Sequence, residues 1–185
     1  MTTANDRPTV LVLLGSLRPD STSRRLAEAA VAALPDGVRA EISTLLPSLP
    51  HYDQDLDTDT PPAAVRAFRE QVAAADALVV ATPEFNGSLP GVLKNAIDWT
   101  SRPRGAAALA GKPVAVLGAS ASPKAAQWAR ADAVRVLQVA GALPLEETVG
   151  LASATAALEG GELAEDVRGR VAELMGRLVR EPLAA

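Results

Sequence analysis

A chain of 185 residues can bury one sizeable core, and with 48% hydrophobic but only 3% aromatic residues that core is built of alanine, valine and leucine. The net charge of -4 with no basic run argues against a nucleic-acid partner, and the absence of cysteine excludes disulfides, thiolate metal sites and a cysteine nucleophile. No run approaches the roughly 20 apolar residues of a membrane span and no signal peptide opens the chain, so a cytoplasmic protein without a membrane partner is expected.

Residues 1–8 read as a loose leader, and the whole of 1–185 as a single domain. Val10 to Leu14 is an uninterrupted apolar run, the pattern of a strand buried on both faces. Ser21 or Thr22 is placed to cap a helix carrying Leu26, Ala29, Ala30, Ala33 and Leu34 at helical spacing, stopped by Pro35-Asp36-Gly37. Val38 to Ser43 is a short edge strand. A loop rich in proline and aspartate covers roughly 46–62. Pro61 and Pro62 start a helix to about Ala74, with Val65, Phe68 and Val72 on one face.

Ala77 to Ala81 is a second apolar strand, emptying into Thr82–Ser88. Ser88 is placed to cap a helix with Pro90 in its first turn, Val92, Leu93, Ala96 and Ile97 inward, and Lys94 four residues before Asp98 on its surface. Pro113 to Gly118 is a third apolar strand, followed by Ala119–Pro123 and a helix to about Ala140. A weaker strand near 143–149 and an amphipathic helix near 160–180 complete the chain. Strands alternating with helices imply a parallel sheet with right-handed crossovers. The expected fold is a flavodoxin-like α/β three-layer sandwich, with a five-stranded parallel sheet in the order 2-1-3-4-5. The loops after 14, 81 and 118 would then meet at the carboxyl ends of the strands, where such folds bind ligands.

The first of these loops packs Ser16, Arg18, Ser21, Thr22 and Ser23 into a strand-to-helix turn. Unpaired N–H groups and the positive end of the helix dipole make that turn a site for an anion, here a phosphate. Ser16 and Ser23 serve equally well as turn and cap residues. No G-x-G-x-x-G follows the first strand, so a dinucleotide site there is not expected. Gly111-Lys112 lacks the Ser/Thr of a P-loop and precedes a strand. Asp53, Asp55 and Asp57 imitate an EF-hand, but Thr58 and Ala64 stand where its glycine and glutamate belong, leaving a solvated acidic loop and no metal site. His51 in that loop reads as a surface residue.

Gly15-Ser16-Leu17-Arg18-Pro19-Asp20-Ser21 resembles the G-S-x-R-x-x-S opening of the NADPH-dependent FMN reductases. Residues 83–99, PEFNGSLPGVLKNAIDW, resemble that family's second signature, P-E-Y-N-x-S-x-P-x-x-L-K-N-A-I-D-W. The resemblance implies non-covalent FMN, with Ser16, Arg18, Ser21 and Ser23 around its phosphate. Pro83, Glu84, Phe85, Asn86 and Gly87 would line the isoalloxazine ring, and Ser120 would lie near its far side. It implies NADPH or NADH as hydride donor, a flavin, quinone or similar small molecule as acceptor in a ping-pong reaction, and a homodimer or homotetramer. The helix after Ser88 and the 46–62 loop are candidate subunit contacts.

Because the flavin carries the chemistry, no catalytic side chain is expected. Arg18, Lys124, Arg102 and Arg104 are candidates for steering nucleotide phosphates. Two departures stand out. Phe85 replaces the family's tyrosine, and Ala125-Ala126 stand where the family's fourth loop carries a glycine pair, restricting φ. Trp99 and Trp128 read as packing or interface residues. Two other classes fit the same fold: a flavodoxin-type electron carrier, and a binding or assembly protein without flavin.

Overall fold

The apolar runs become the middle of one parallel sheet. The computed structural model describes residues 7–158 and 163–180. Strands β1 (Thr9–Leu14), β2 (Arg39–Ile42), β3 (Ala77–Thr82), β4 (Pro113–Ala119) and β5 (Leu143–Leu151) pair in the order β2-β1-β3-β4-β5, every pair parallel. This is the expected fold and order. The connecting helices are α1 (Thr22–Ala32), α2 (Ala63–Ala74), α3 (Gly91–Thr100), α4 (Gln127–Val139), α5 (Ala154–Ala157) and α6 (Glu165–Arg180).

Successive strand residues point to opposite faces, and both faces are covered, which is why the runs do not alternate with polar residues. Val10, Val12 and Leu14 pack with Leu26, Ala27 and Ala30 of α1 and with Val171, Leu174 and Leu178 of α6. Leu11 and Leu13 face the other way, among Val65, Phe68 and Val72 of α2, Leu93 and Ile97 of α3, and Leu137 of α4. Strand β2 lies at the edge and alternates exposed and half-buried positions, as its sequence implied.

The long acidic loop is fastened rather than loose, through residues of α3. Asn95 accepts from the Tyr52 N–H at 2.7 Å and donates to the Pro50 carbonyl at 2.9 Å. The indole N–H of fully buried Trp99 donates to the same Pro50 oxygen at 2.8 Å. Asp57 pairs with Arg69 at 2.7 Å and accepts from the Tyr52 hydroxyl, so this end of the loop is not solvated. The 83–99 signature therefore divides its labour, and Asn95 and Trp99 are packing residues.

Two boundaries differ from the sequence reading. Ser88 does not cap α3. Pro90 is the N-cap residue, without a side-chain bond, and the Ser88 hydroxyl instead donates to Asp132 of α4. The last helix begins at Glu165 rather than near 160; Glu165 and Asp166 in its first turn suit the positive end of the helix dipole. Residues 1–6 of the expected leader, and 160–162 of the expected helix, lie outside the described residues.

Candidate functional site

Loops leaving β1, β3, β4 and β5 at their carboxyl ends enclose a cleft of about 810 Å³, within the usual range of small-molecule sites. Its walls include eight of the ten residues expected from sequence: Ser16, Arg18, Ser21, Ser23, Pro83, Glu84, Phe85 and Ser120. Asn86 and Gly87 are not among them. They form the exposed tip of a two-residue turn, with φ of 52° and 74°, closed by paired backbone bonds between Phe85 and Ser88. An Asn-Gly pair is the favoured sequence for such a turn, so this dipeptide makes the hairpin instead of the wall.

Gly15 lets the first loop approach the third. A Cβ there would stand 2.6 Å from Leu93 Cδ1 and 3.0 Å from Pro83 Cδ. Ser16 accepts the Arg18 N–H in a local turn at 3.4 Å. The Ser21 hydroxyl caps α1, accepting from the Arg24 N–H at 3.1 Å. These are the turn and cap roles that serine fills by habit. Ser23 is different. It is fully buried, it lines the cleft, and its hydroxyl has no partner among the described residues. A buried hydroxyl without a partner costs stability unless something in the site engages it. The adjoining Thr22 and Ser23 N–H groups, at the positive end of the α1 dipole, likewise find no backbone acceptor among the described residues.

Arg18 brings a cation to this end of the cleft, and so does Arg25, whose Nη1 also donates to the Leu158 carbonyl at 3.1 Å. The donors together suit a phosphate monoester. Asp20 supplies a carboxylate to the same wall. The other end is flatter: Pro83, Phe85, Ala119, Ser120 and Ala121. A ring system joined to a phosphate fits this cleft; a free phosphate alone would leave most of it unfilled.

Arg25, Thr155 and Leu158 line the cleft without having been read from sequence, and Thr22 of the first loop joins them there. The small residues Gly150, Ala152 and Ser153 at the end of β5 resemble those after β1 and β4 and were the available signal. Arg102 and Arg104 lie elsewhere, in a second groove of about 600 Å³ beside α3 and α4, and so are no part of the cleft.

The fourth loop carries the strain that its sequence implied. Ala125 and Ala126 both have φ of 54°, the left-handed conformation that glycine would adopt freely. They sit over Arg130, whose Nε donates to the Ala125 carbonyl at 3.0 Å and whose Nη1 reaches Thr148. Gly118 and Gly150 make room for this arrangement: a Cβ on Gly118 would lie 2.6 Å from Arg130 Cγ, and one on Gly150 2.6 Å from the Ala125 oxygen. Burial pushes the Arg130 guanidinium below its usual pKa, with Arg170 adding repulsion and Glu84 opposing both. Lys124 places its ammonium 4.2 Å from the centre of the half-exposed Trp128 ring.

The family model for NADPH-dependent FMN reductase matches residues 8–156. A 2-hydroxy-1,4-benzoquinone reductase of a Burkholderia species is 47% identical over 111 residues, 60% of each chain. An NAD(P)H-dependent FMN reductase of Pseudomonas aeruginosa is 47% identical over 112 residues, again 60% of each. The matched stretch thus spans 60% of the length of these relatives. FerB of Paracoccus denitrificans, a flavoenzyme NAD(P)H:(acceptor) oxidoreductase, superimposes with a TM-score of 0.79 at 30% identity, covering 94% of this chain and 98% of that one.

Proposed function

The chain belongs to the NADPH-dependent FMN reductase family, and on that premise we propose that it is an FMN-dependent oxidoreductase using NADPH or NADH to reduce quinones, flavins or similar small acceptors. The observation that carries this reading is the unpartnered, fully buried Ser23 hydroxyl at the free end of α1, inside a cleft that also holds Arg18 and Arg25. Ser16, Arg18, Ser21, Ser23 and Arg25 would hold the FMN phosphate. Pro83, Phe85 and Ser120 would border its ring.

When bound, FMN supplies hydride and electron transfer between the nicotinamide nucleotide and the acceptor. The chain's own part is binding, orientation and charge. Arg18 and Arg25 offset the phosphate charge, the α1 N–H groups fix its direction, and Phe85 offers an apolar surface beside the ring. No titrating side chain is required, and the sole histidine, His51, is exposed on the acidic loop.

No described helix is long and apolar enough to cross a membrane. On this reading the enzyme sits in the cytoplasm as a homodimer or homotetramer; large apolar side chains left exposed outside the cleft, Val139 and Leu143 among them, are available for assembly. Light scattering that reports a monomer across micromolar concentrations would oppose this.

Titration of the flavin-free protein with FMN, followed by assay with NADPH and a panel of quinones and free flavins, tests the function. Saturable FMN binding with turnover of at least one acceptor is expected. Arg18→Ala is expected to weaken FMN binding about tenfold with an unchanged melting temperature. A protein that binds no FMN overturns the reading.

A further inference from the structure

Helix α4 starts without a cap of its own. Its N-cap residue is Ala126, in the left-handed conformation, and offers no side-chain acceptor. The N–H groups of Trp128 and Ala129 are satisfied instead by one carboxylate oxygen of Glu84, at 2.9 and 3.1 Å, from 44 and 45 residues earlier in the chain. A carboxylate at this place also meets the positive end of the α4 dipole. One turn further on, Asp132 accepts from the Ser88 hydroxyl. Glu84 and Ser88 flank the same tight turn, closed by reciprocal backbone bonds of 3.1 Å between Phe85 and Ser88. The Trp128 ring lies beside Gly87 at its tip: a Cβ there would meet Trp128 Cε3 at 3.5 Å, an ordinary van der Waals contact.

The hairpin that carries Phe85 is therefore stapled to the helix start that carries Trp128. Both aromatics remain about half exposed, at 56% and 52%, and half-exposed aromatic faces beside a cleft suit a flat partner. Glu84 has acceptors only, and one of its oxygens is already committed to two N–H groups. We propose that Glu84 is a positioning residue rather than a flavin contact. It fixes the fourth loop against the hairpin and so sets the surface presented to the second substrate, the nicotinamide nucleotide or the acceptor. The proposal rests on the FMN reading.

Glu84→Ala and Glu84→Gln in the full chain test it, first without flavin. Trp99 is fully buried, so emission quenchable by acrylamide comes from Trp128. Glu84→Ala is expected to raise the quenching constant about twofold, whereas Glu84→Gln, whose amide oxygen can accept the same bonds, stays near wild type. In the FMN-loaded proteins, Glu84→Ala is expected to raise KM for NADPH or quinone about tenfold while FMN affinity changes less than about threefold, and Glu84→Gln recovers most of the loss. Unchanged quenching and KM in Glu84→Ala would overturn the proposal. So would an FMN affinity lowered about tenfold in both variants with quenching unchanged, which would make Glu84 a flavin contact. Wild-type protein that fails to bind FMN would sink the flavin reading alone, and the quenching comparison would still decide the role of Glu84.

Discussion

Ser23 and Ser88 show how differently one residue type is used within a single chain. Ser23 keeps a buried hydroxyl without a partner, an arrangement that costs about 1–3 kcal/mol in a folded chain. Ser23→Ala is therefore expected to leave the flavin-free protein as stable as wild type or more so, while weakening FMN binding about tenfold, about 1.4 kcal/mol. Thermal melts and FMN titrations of the same preparation check both halves, and unchanged FMN affinity would remove Ser23 from the phosphate site. Ser88 does the opposite, donating to Asp132 far from the phosphate end. That hydrogen bond, helped by Arg135 and Lys94 and opposed by burial, holds the Asp132 carboxyl below the usual carboxylate range. The stabilisation is complete above the unfolded value of about 3.9 and disappears as pH falls through the lower folded value. Ser88→Ala should thus cost about 1 kcal/mol near neutrality and progressively less on acidification below about pH 4. Melting temperatures of the two proteins should converge at low pH, and a constant gap would deny Asp132 this role.

At the scale of elements, the site depends on loops held by partners remote in sequence. The acidic loop hangs on α3 through Asn95, whose removal leaves the Tyr52 N–H without its acceptor. Asn95→Ala should cost about 2 kcal/mol of stability while leaving FMN affinity unaltered; loss of FMN in step with stability would show that the loop reaches the cleft. The fourth loop stores strain at Ala125 and Ala126. Ala125→Gly is expected to gain up to about 1 kcal/mol, raising the melting temperature by about 2–4 °C for a chain of this length. A lower melting temperature would mean that the Ala125 methyl contributes more by packing than its φ costs. That strain was legible, because alanines stand where the resembling family carries glycines. The cap on α4 was not: nothing local links Glu84 to Trp128, and helix-start rules look only to the residues just before a helix. Ser88 misled for the same reason. It stands where a cap would stand, but its hydroxyl found a nearby carboxylate on another helix.

Across the whole molecule, hydrophobic runs were enough to give the architecture. Three unbroken apolar strands demand cover on both faces and alternation with helices demands parallel pairing; the order β2-β1-β3-β4-β5 was expected only from the flavodoxin-like class, and it is the order observed. Eight of the ten expected residues line one cleft because strand ends converge at a switch point in this topology. The wall from Thr155 and Leu158 was signalled only by the small residues at the end of β5, since the four-residue helix beyond them has no periodicity to read. Arg102 and Arg104 were misplaced because charge alone does not say which end of a strand a loop serves. On the proposed function, this cleft holds FMN where a reduced nicotinamide nucleotide can reach it. Anaerobic rapid mixing of FMN-loaded protein with NADPH or NADH tests that most directly. Prompt loss of the oxidised flavin absorbance is expected, with its return on addition of a quinone. Flavin that stays oxidised in the presence of both nucleotides, yet is reduced by a chemical reductant, would contradict it.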